Sequence, residues 1–246
     1  MLSKAQSKYI RSLSKQKFRA EHGVFTAEGD KIAREWLAAD GPIRMIVATD
    51  TWSAANEDLI AQHTEAELFR VGEEVLADLS GLQTAHQVLL VVPLPEPKAI
   101  PVQTEWYLAL DGIQDPGNLG TIIRIADWFN IKYVVCGPGC ADVYNPKVIQ
   151  SAMGSHLRVS TFESNLVPFL ESISLPKMAA TLNGRSIYEA DRQKSGVLVI
   201  GNESRGISEA VLKLADRPVS IPRRGGAESL NAAVATGILC ALLVGG

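Results

Sequence analysis

No apolar run in the 246 residues is long enough to cross a bilayer. The longest, Ala232 to Val244, falls short of the ~20 residues that a spanning helix needs and reads as a buried helix. Cysteine is scarce. Cys136, Cys140 and Cys240 do not make a disulfide framework, and no further Cys or His lies near the C-x-x-x-C pair, which reads as reduced structural thiols. His22, His63, His86 and His156 are scattered without ligand spacing, so no metal is expected. Residues 1–18 are studded with Lys and Arg and lack the apolar stretch of a signal peptide. The expectation is a cytoplasmic protein with no membrane attachment.

Acid is missing from one place in particular. Residues 1–19 carry Lys4, Lys8, Arg11, Lys15, Lys17 and Arg19 and no Asp or Glu, a local charge of +6. The formal net charge is −3, so the remainder carries −9. On a helical wheel Lys4, Lys8, Arg11, Lys15 and Arg19 fall on one face, with Leu2, Tyr9 and Leu13 roughly opposite. Such a helix could dock by its apolar side and offer cations to a phosphate backbone, or simply present a solvated face.

With 46% hydrophobic and 21% charged residues, the chain has room for one large core or two modest ones. After the basic helix, strand-like runs at Val24–Glu28, Met45–Ala48 and Val88–Val92 alternate with helical stretches, which suggests a small α/β domain. Pro93, Pro95, Pro97 and Pro101 then interrupt both helix and central strand. The domain boundary is placed there, giving domains 1–97 and 98–246.

Beyond it the pattern restarts. Short apolar runs at Tyr107–Leu110, Tyr133–Cys136, Leu157–Phe162, Met178–Leu182, Val197–Ile200 and Val219–Ile221 read as strands. Helices are expected between them, over Gly120–Phe129, Lys147–Met153, Leu166–Ser172, Ser208–Ala215 and Ser229–Val244. This is the pattern of a mainly parallel sheet covered on both faces, whose ligands bind beyond the carboxyl ends of the strands. The loops after Leu110, Leu182, Ile200 and Ile221 are therefore the candidates for chemistry.

Asp111 to Gly120 runs from strand through a glycine-rich turn to a helix carrying Arg124 among apolar neighbours. It is neither the dinucleotide G-x-G-x-x-G nor a P-loop, which opposes an oxidoreductase or NTPase. Val197 to Gly206 delivers Asn202 and Glu203 at a strand tip after Gly201. Ser220 to Asn231 passes through Ile221-Pro222 and a glycine loop to Ser229-Leu230-Asn231 at a helix entry.

Together the three loops resemble the signature motifs of the SpoU (TrmH) family of RNA 2′-O-methyltransferases, in the SPOUT superfamily. Asn118-Leu-Gly-Thr-Ile-Ile-Arg124 resembles the first motif, Gly201-Asn202-Glu203 with Gly206 the second, and Ile221-Pro222 with Ser229-Leu230-Asn231 and Ala235 the third. The likeness spans about residues 105–246. Ser204, Arg223 and Ala232-Ala233 depart from it, where Gly, Met and Val-Ser are usual. The N-terminal region is similar in organisation to a ribosomal-protein-like α/β domain that binds substrate in many members.

The resemblance implies an S-adenosylmethionine-dependent enzyme that methylates a ribose 2′-hydroxyl in rRNA or tRNA. It implies a trefoil knot at the C-terminus and a homodimer built on the last helix, with each site completed across the interface. It implies catalytic roles for Asn118, Arg124, Glu203, Ser229 and Asn231, and a cofactor pocket at Leu182, Asn183, Gly201, Ile221 and Leu230. The basic face of Lys4, Lys8, Arg11, Lys15 and Arg19 would bind RNA. The alternative is a non-catalytic RNA-binding protein of the same fold that aids ribosome assembly.

Overall fold

The computed structural model describes residues 2–82, 86–102 and 104–244. In chain order the elements are α1 (Lys4–Ser12), α2 (Gln16–His22), β1 (Val24–Glu28), α3 (Asp30–Ala38), β2 (Met45–Ala48), α4 (Asp50–Ala55), α5 (Glu57–Ile60), β3 (Glu67–Arg70), α6 (Glu73–Leu79) and β4 (Val88–Pro93). There follow β5 (Trp106–Asp111), α7 (Pro116–Trp128), β6 (Tyr133–Cys136), α8 (Pro146–Ala152), β7 (Ser160–Glu163), α9 (Leu166–Ser172), β8 (Lys177–Ser186), β9 (Gly196–Gly201), α10 (Glu209–Leu212), β10 (Arg217–Ser220) and α11 (Ala232–Leu243). Two compact units result: Met1–Pro97 with Asp142–Leu157, and Lys98–Ala141 with Arg158–Gly246.

In the first unit the sheet runs β1-β4-β2-β3, with β2 and β3 parallel and the other pairs antiparallel. Successive strand residues point to opposite faces, and the buried residues divide accordingly. Phe25, Ala27, Ile46, Ala48, Leu90 and Val92 face Ile32, Ala33 and Leu37 of α3 and Ile149 of α8. Val24, Met45, Val47, Leu89 and Val91 face Ile10 of α1, Leu13, and Leu76 and Leu79 of α6. Each fully buried Leu or Ile contributes about 1.5–3 kcal/mol, so burial on both faces is what holds these helices down.

The basic segment is two helices, not one. Ser3 and Gln6 form a capping box at the start of α1, and the chain leaves the helix at Leu13, whose side chain is fully buried. Helix α2 restarts at Gln16 with a different phase. Lys4, Lys8 and Lys15 stay exposed, and Arg11 holds Asp78 through two bonds of 2.9 and 2.7 Å. Arg19 leaves that face altogether. It is 2% exposed, donates to the Leu13 carbonyl at 2.7 Å and pairs with Asp142. A guanidinium buried in this way needs its counter-charge. Asp142→Ala is expected to lower stability by about 3–5 kcal/mol, read by urea denaturation, and a change below about 1 kcal/mol would show that the pair is dispensable.

The second unit holds a six-stranded sheet of order β10-β8-β9-β5-β6-β7 in which all five pairings are parallel. Its inner strands read as continuous apolar runs because both faces are covered. Tyr107, Ala109, Val135, Val197 and Val199 pack against Leu166, Phe169 and Leu170 of α9 and Val211 of α10. On α11, Gly237 sits where an added methyl would still lie 3.6 Å from Ile125 of α7, so the two helices pack closely.

Several boundaries differ from the sequence expectation. Helix α7 starts at Pro116 rather than Gly120, because Asp115 caps it and proline suits a first turn. Ser155–Leu157 is a 3₁₀ turn, and strand β7 begins only at Ser160. Strand β8 runs on to Ser186 because its far end finds a second partner in β10.

Candidate functional site

Three of the loops singled out by sequence leave β5, β9 and β10, and a fourth segment lies within β8. Parallel pairing through β10-β8-β9-β5 puts all four at the same end of the second unit's sheet.

The decisive geometry is a chain of side-chain bonds across three of them. Asn231 caps α11, its Oδ1 accepting from the amides of Ala233 (2.9 Å) and Val234 (3.2 Å). Its Nδ2 must then donate, and it does so to Asn118 Oδ1 at 2.8 Å. The Nδ2 of Asn118 is left to donate to Glu203 Oε1, at 2.7 Å. The backbone thus fixes the orientation of both amides and, through them, the acceptor role of the carboxylate. Asn118 is placed by Asp115, whose Oδ1 accepts the Asn118 amide at 2.8 Å.

Arg124 and Ser229 do not join this chain within one protomer. Arg124 lies on the exposed face of α7 with Thr121 and Trp128, the last 84% exposed. Ser229 is exposed in the segment between β10 and α11, which begins at Ala232 rather than Ser229. Arg223 braces that segment by donating to the Ala227 carbonyl at 3.2 Å.

The proposed cofactor positions lie on the same sheet end. Pro218 and Val219, adjacent on β10, pair with Ala179 and Arg185 on β8, so Ala180–Gly184 stands out between them. Leu182 and Asn183 are exposed on this excursion, Leu182 at 75%. Gly184 closes it: an added Cβ would lie 2.6 Å from the backbone of Pro218 and Val219, and the Gly184 carbonyl accepts from Ser220 Oγ at 2.8 Å. Gly201 ends β9 under the turn that folds back at Gly206, and Ile221 follows β10 directly. Exposed Leu182 and Leu230 beside main-chain turns suit a ligand with an apolar aromatic ring and polar edges, which is the character of adenosine.

Among the described residues, no group of three or more His, Cys, Asp or Glu converges as a metal site, and no helix is long and apolar enough to cross a membrane. The three cysteines are free, and burial pushes the Cys240 thiol up to about 12.

The profile of the SpoU rRNA Methylase family matches residues 105–241, more than half of the chain. This chain belongs to the SpoU rRNA methylase family. The MRM3-like substrate binding domain matches residues 4–90. The 23S rRNA (guanosine(2553)-2′-O)-methyltransferase RlmP of Bacillus subtilis is 32% identical over 233 residues, covering 93% of this chain and 92% of that protein. Among solved structures, a TrmH-family protein from Porphyromonas gingivalis superposes with a TM-score of 0.87 at 37% identity, covering 99% of this chain and 98% of that one. An AdoMet-bound rRNA methyltransferase from Sinorhizobium meliloti gives 0.86 at 27% identity, covering 98% and 94%.

Set beside this SpoU family architecture, sequence reasoning gave no role to Asp115 or Asn202. Asp115-Pro116 before an apolar run was the available signal for the first, as a helix-entry pair. Asn202 gave none beyond its place in the second motif.

Proposed function

We propose that this chain transfers the methyl group of S-adenosylmethionine to a ribose 2′-hydroxyl in structured RNA. The observation that carries the reading is the Asn231–Asn118–Glu203 chain, which ties the three motif loops into one polar cluster at the sheet end that also carries the exposed Leu182 and Leu230. When bound, the cofactor supplies a methyl group already activated by its sulfonium. The protein's part is to position the nucleophile and ease its proton loss.

Asn118, Glu203 and Asn231 hold the ribose edge. Leu182, Asn183, Gly201, Ile221 and Leu230 line the cofactor pocket, and Ser229 supplies a hydroxyl beside it. Arg124 acts by orienting a neighbouring phosphate and stabilising charge on the oxygen, since arginine does not deprotonate in proteins. Its outward position on α7 suits a homodimer. Trp128 and Val234, at 84% and 52% exposed, are large apolar groups left for a second copy, and Arg124 beside them would then reach the partner's site. A trefoil knot around β8 and β10 belongs to this reading, as does a cytoplasmic location.

Residues 1–97 are read as the RNA substrate-binding domain and 98–246 as the methyltransferase domain, in keeping with the two matched families, although the segment Asp142–Leu157 of the latter belongs to the first compact unit. The substrate is rRNA or tRNA, and the Bacillus subtilis relative favours rRNA. DNA is excluded because it lacks the reacting hydroxyl.

Three experiments test the reading. Calorimetry is expected to show S-adenosylmethionine binding, and absence of binding at millimolar cofactor would favour a non-catalytic assembly protein instead. Mapping 2′-O-methyl positions in rRNA and tRNA from cells lacking the protein is expected to show one position lost. Replacing Lys4, Lys8 and Lys15 by alanine is expected to weaken RNA binding and to flatten its log–log salt dependence by about 2–3, roughly one counterion per phosphate contact. An unchanged slope would return these lysines to plain solvation.

A further inference from the structure

Asn202 has no role in the mechanism above, yet its side chain is fully engaged. It is 9% exposed. Its Nδ2 donates to the Gly112 carbonyl at 2.7 Å, and its Oδ1 accepts from the backbone amides of Ser204 and Arg205, each at 3.0 Å. Its backbone exchanges a further pair of bonds with Gly206, at 3.0 and 2.9 Å. Nothing in this set reaches outward to a ligand.

The two ends of the amide act on different loops. The oxygen shapes the turn on which Glu203 sits. The nitrogen ties that turn to Gly112, whose φ of +73° turns the chain into the segment leading to Asp115 and Asn118. The Glu203–Asn118 bond spans the same two loops.

We propose that Asn202 is a positioning residue for methyl transfer: by locking the Glu203 turn onto Gly112, it sets the separation at which Glu203 meets Asn118. The inference rests on the function proposed above. A shift of about 1 Å in such a contact is enough to cost about 100-fold in rate.

Asn202→Asp isolates the effect. It keeps the acceptor for both turn amides but sets a carboxylate oxygen against the Gly112 carbonyl, where two acceptors repel. The expected result is a kcat lowered by about 100-fold with the RNA KM within about threefold. The deciding measurement is a double-mutant cycle with Glu203→Gln. If Asn202 acts through Glu203, the Asn202→Asp change costs no more than about twofold once Glu203 is already replaced. Losses that multiply, or a change confined to KM, overturn the proposal. Should N202D fail to fold, Asn202→Ser carries the same cycle, because its hydroxyl still accepts a turn amide but cannot reach Gly112. A wild-type protein that neither binds S-adenosylmethionine nor methylates RNA refutes the underlying function. An active wild type with independent losses refutes the role of Asn202 alone.

Discussion

Arg124→Ala is expected to leave S-adenosylmethionine affinity within about twofold while lowering methyl transfer by about 100- to 1,000-fold, the usual cost of removing one preorganised group that stabilises developing charge. The separation of the two effects follows from its position. Arg124 lies on the exposed face of α7, and the turns proposed to hold the cofactor belong to other elements, β8, β9 and β10. Its solvent-facing position beside Trp128 also predicts where it acts. If it serves the partner's site, mixing Arg124→Ala with Glu203→Gln subunits creates mixed dimers in which one site of two is intact. Activity should then recover to about a quarter of wild type, given random pairing in a symmetric dimer. Neither parent alone reaches that level. Mixed subunits no more active than their parents would place Arg124 in its own protomer's site, and near-wild-type turnover by Arg124→Ala would remove it from the mechanism.

Gly201→Ala should be as damaging for a different reason. The added methyl would fall 2.4 Å from the backbone carbon of Gly206 and the amide nitrogen of Ile207. Real side chains do not approach main chain so closely, so the returning turn must move, at an overpacking cost of about 1–3 kcal/mol. That turn carries Glu203 and borders the proposed cofactor pocket. Cofactor binding is therefore expected to weaken more than about tenfold, and methyl transfer to fall about 100-fold. Gly41→Ala is the matched control, because its added methyl meets nothing within 4 Å and lies in the first unit. Both are read by calorimetry and labelled-methyl incorporation. A Gly201→Ala protein that binds cofactor as wild type does would show that the turn yields cheaply.

The parts of this molecule legible in sequence are those decided locally. Continuous apolar runs such as Val197–Ile200 can be stable only in a sheet covered on both sides, and they lie in one. Leu13 and Tyr9 pack inward opposite exposed Lys4 and Lys8, as the helical wheel required of α1. What stayed hidden depends on distant partners. No Gly or Pro marks the break after Ser12, and the burial of Arg19 depends on Asp142, far along the chain. Glycines 117 and 120 read as a turn, yet the Asp115 cap and Pro116 start α7 ahead of them. Asn202 and Gly112 are separated by 90 positions, so neither could announce the other. Of the residues expected to act together, Asn118, Glu203 and Asn231 are joined by bonds within one protomer, while Arg124 and Ser229 stand apart from them.

The amide sequence that begins at the α11 cap has one permitted sense, donor to acceptor, and it terminates on a carboxylate. An ionised carboxylate has lone pairs and no hydrogen to give. In the site proposed above, a sugar hydroxyl arriving there would offer its hydrogen inward, which turns its own electron pairs away from the carboxylate. On the proposed function those outward pairs are the ones a methyl carbon would meet, and the start of a helix more than a hundred residues from Asn118 would then help decide which side of an oxygen is open to attack.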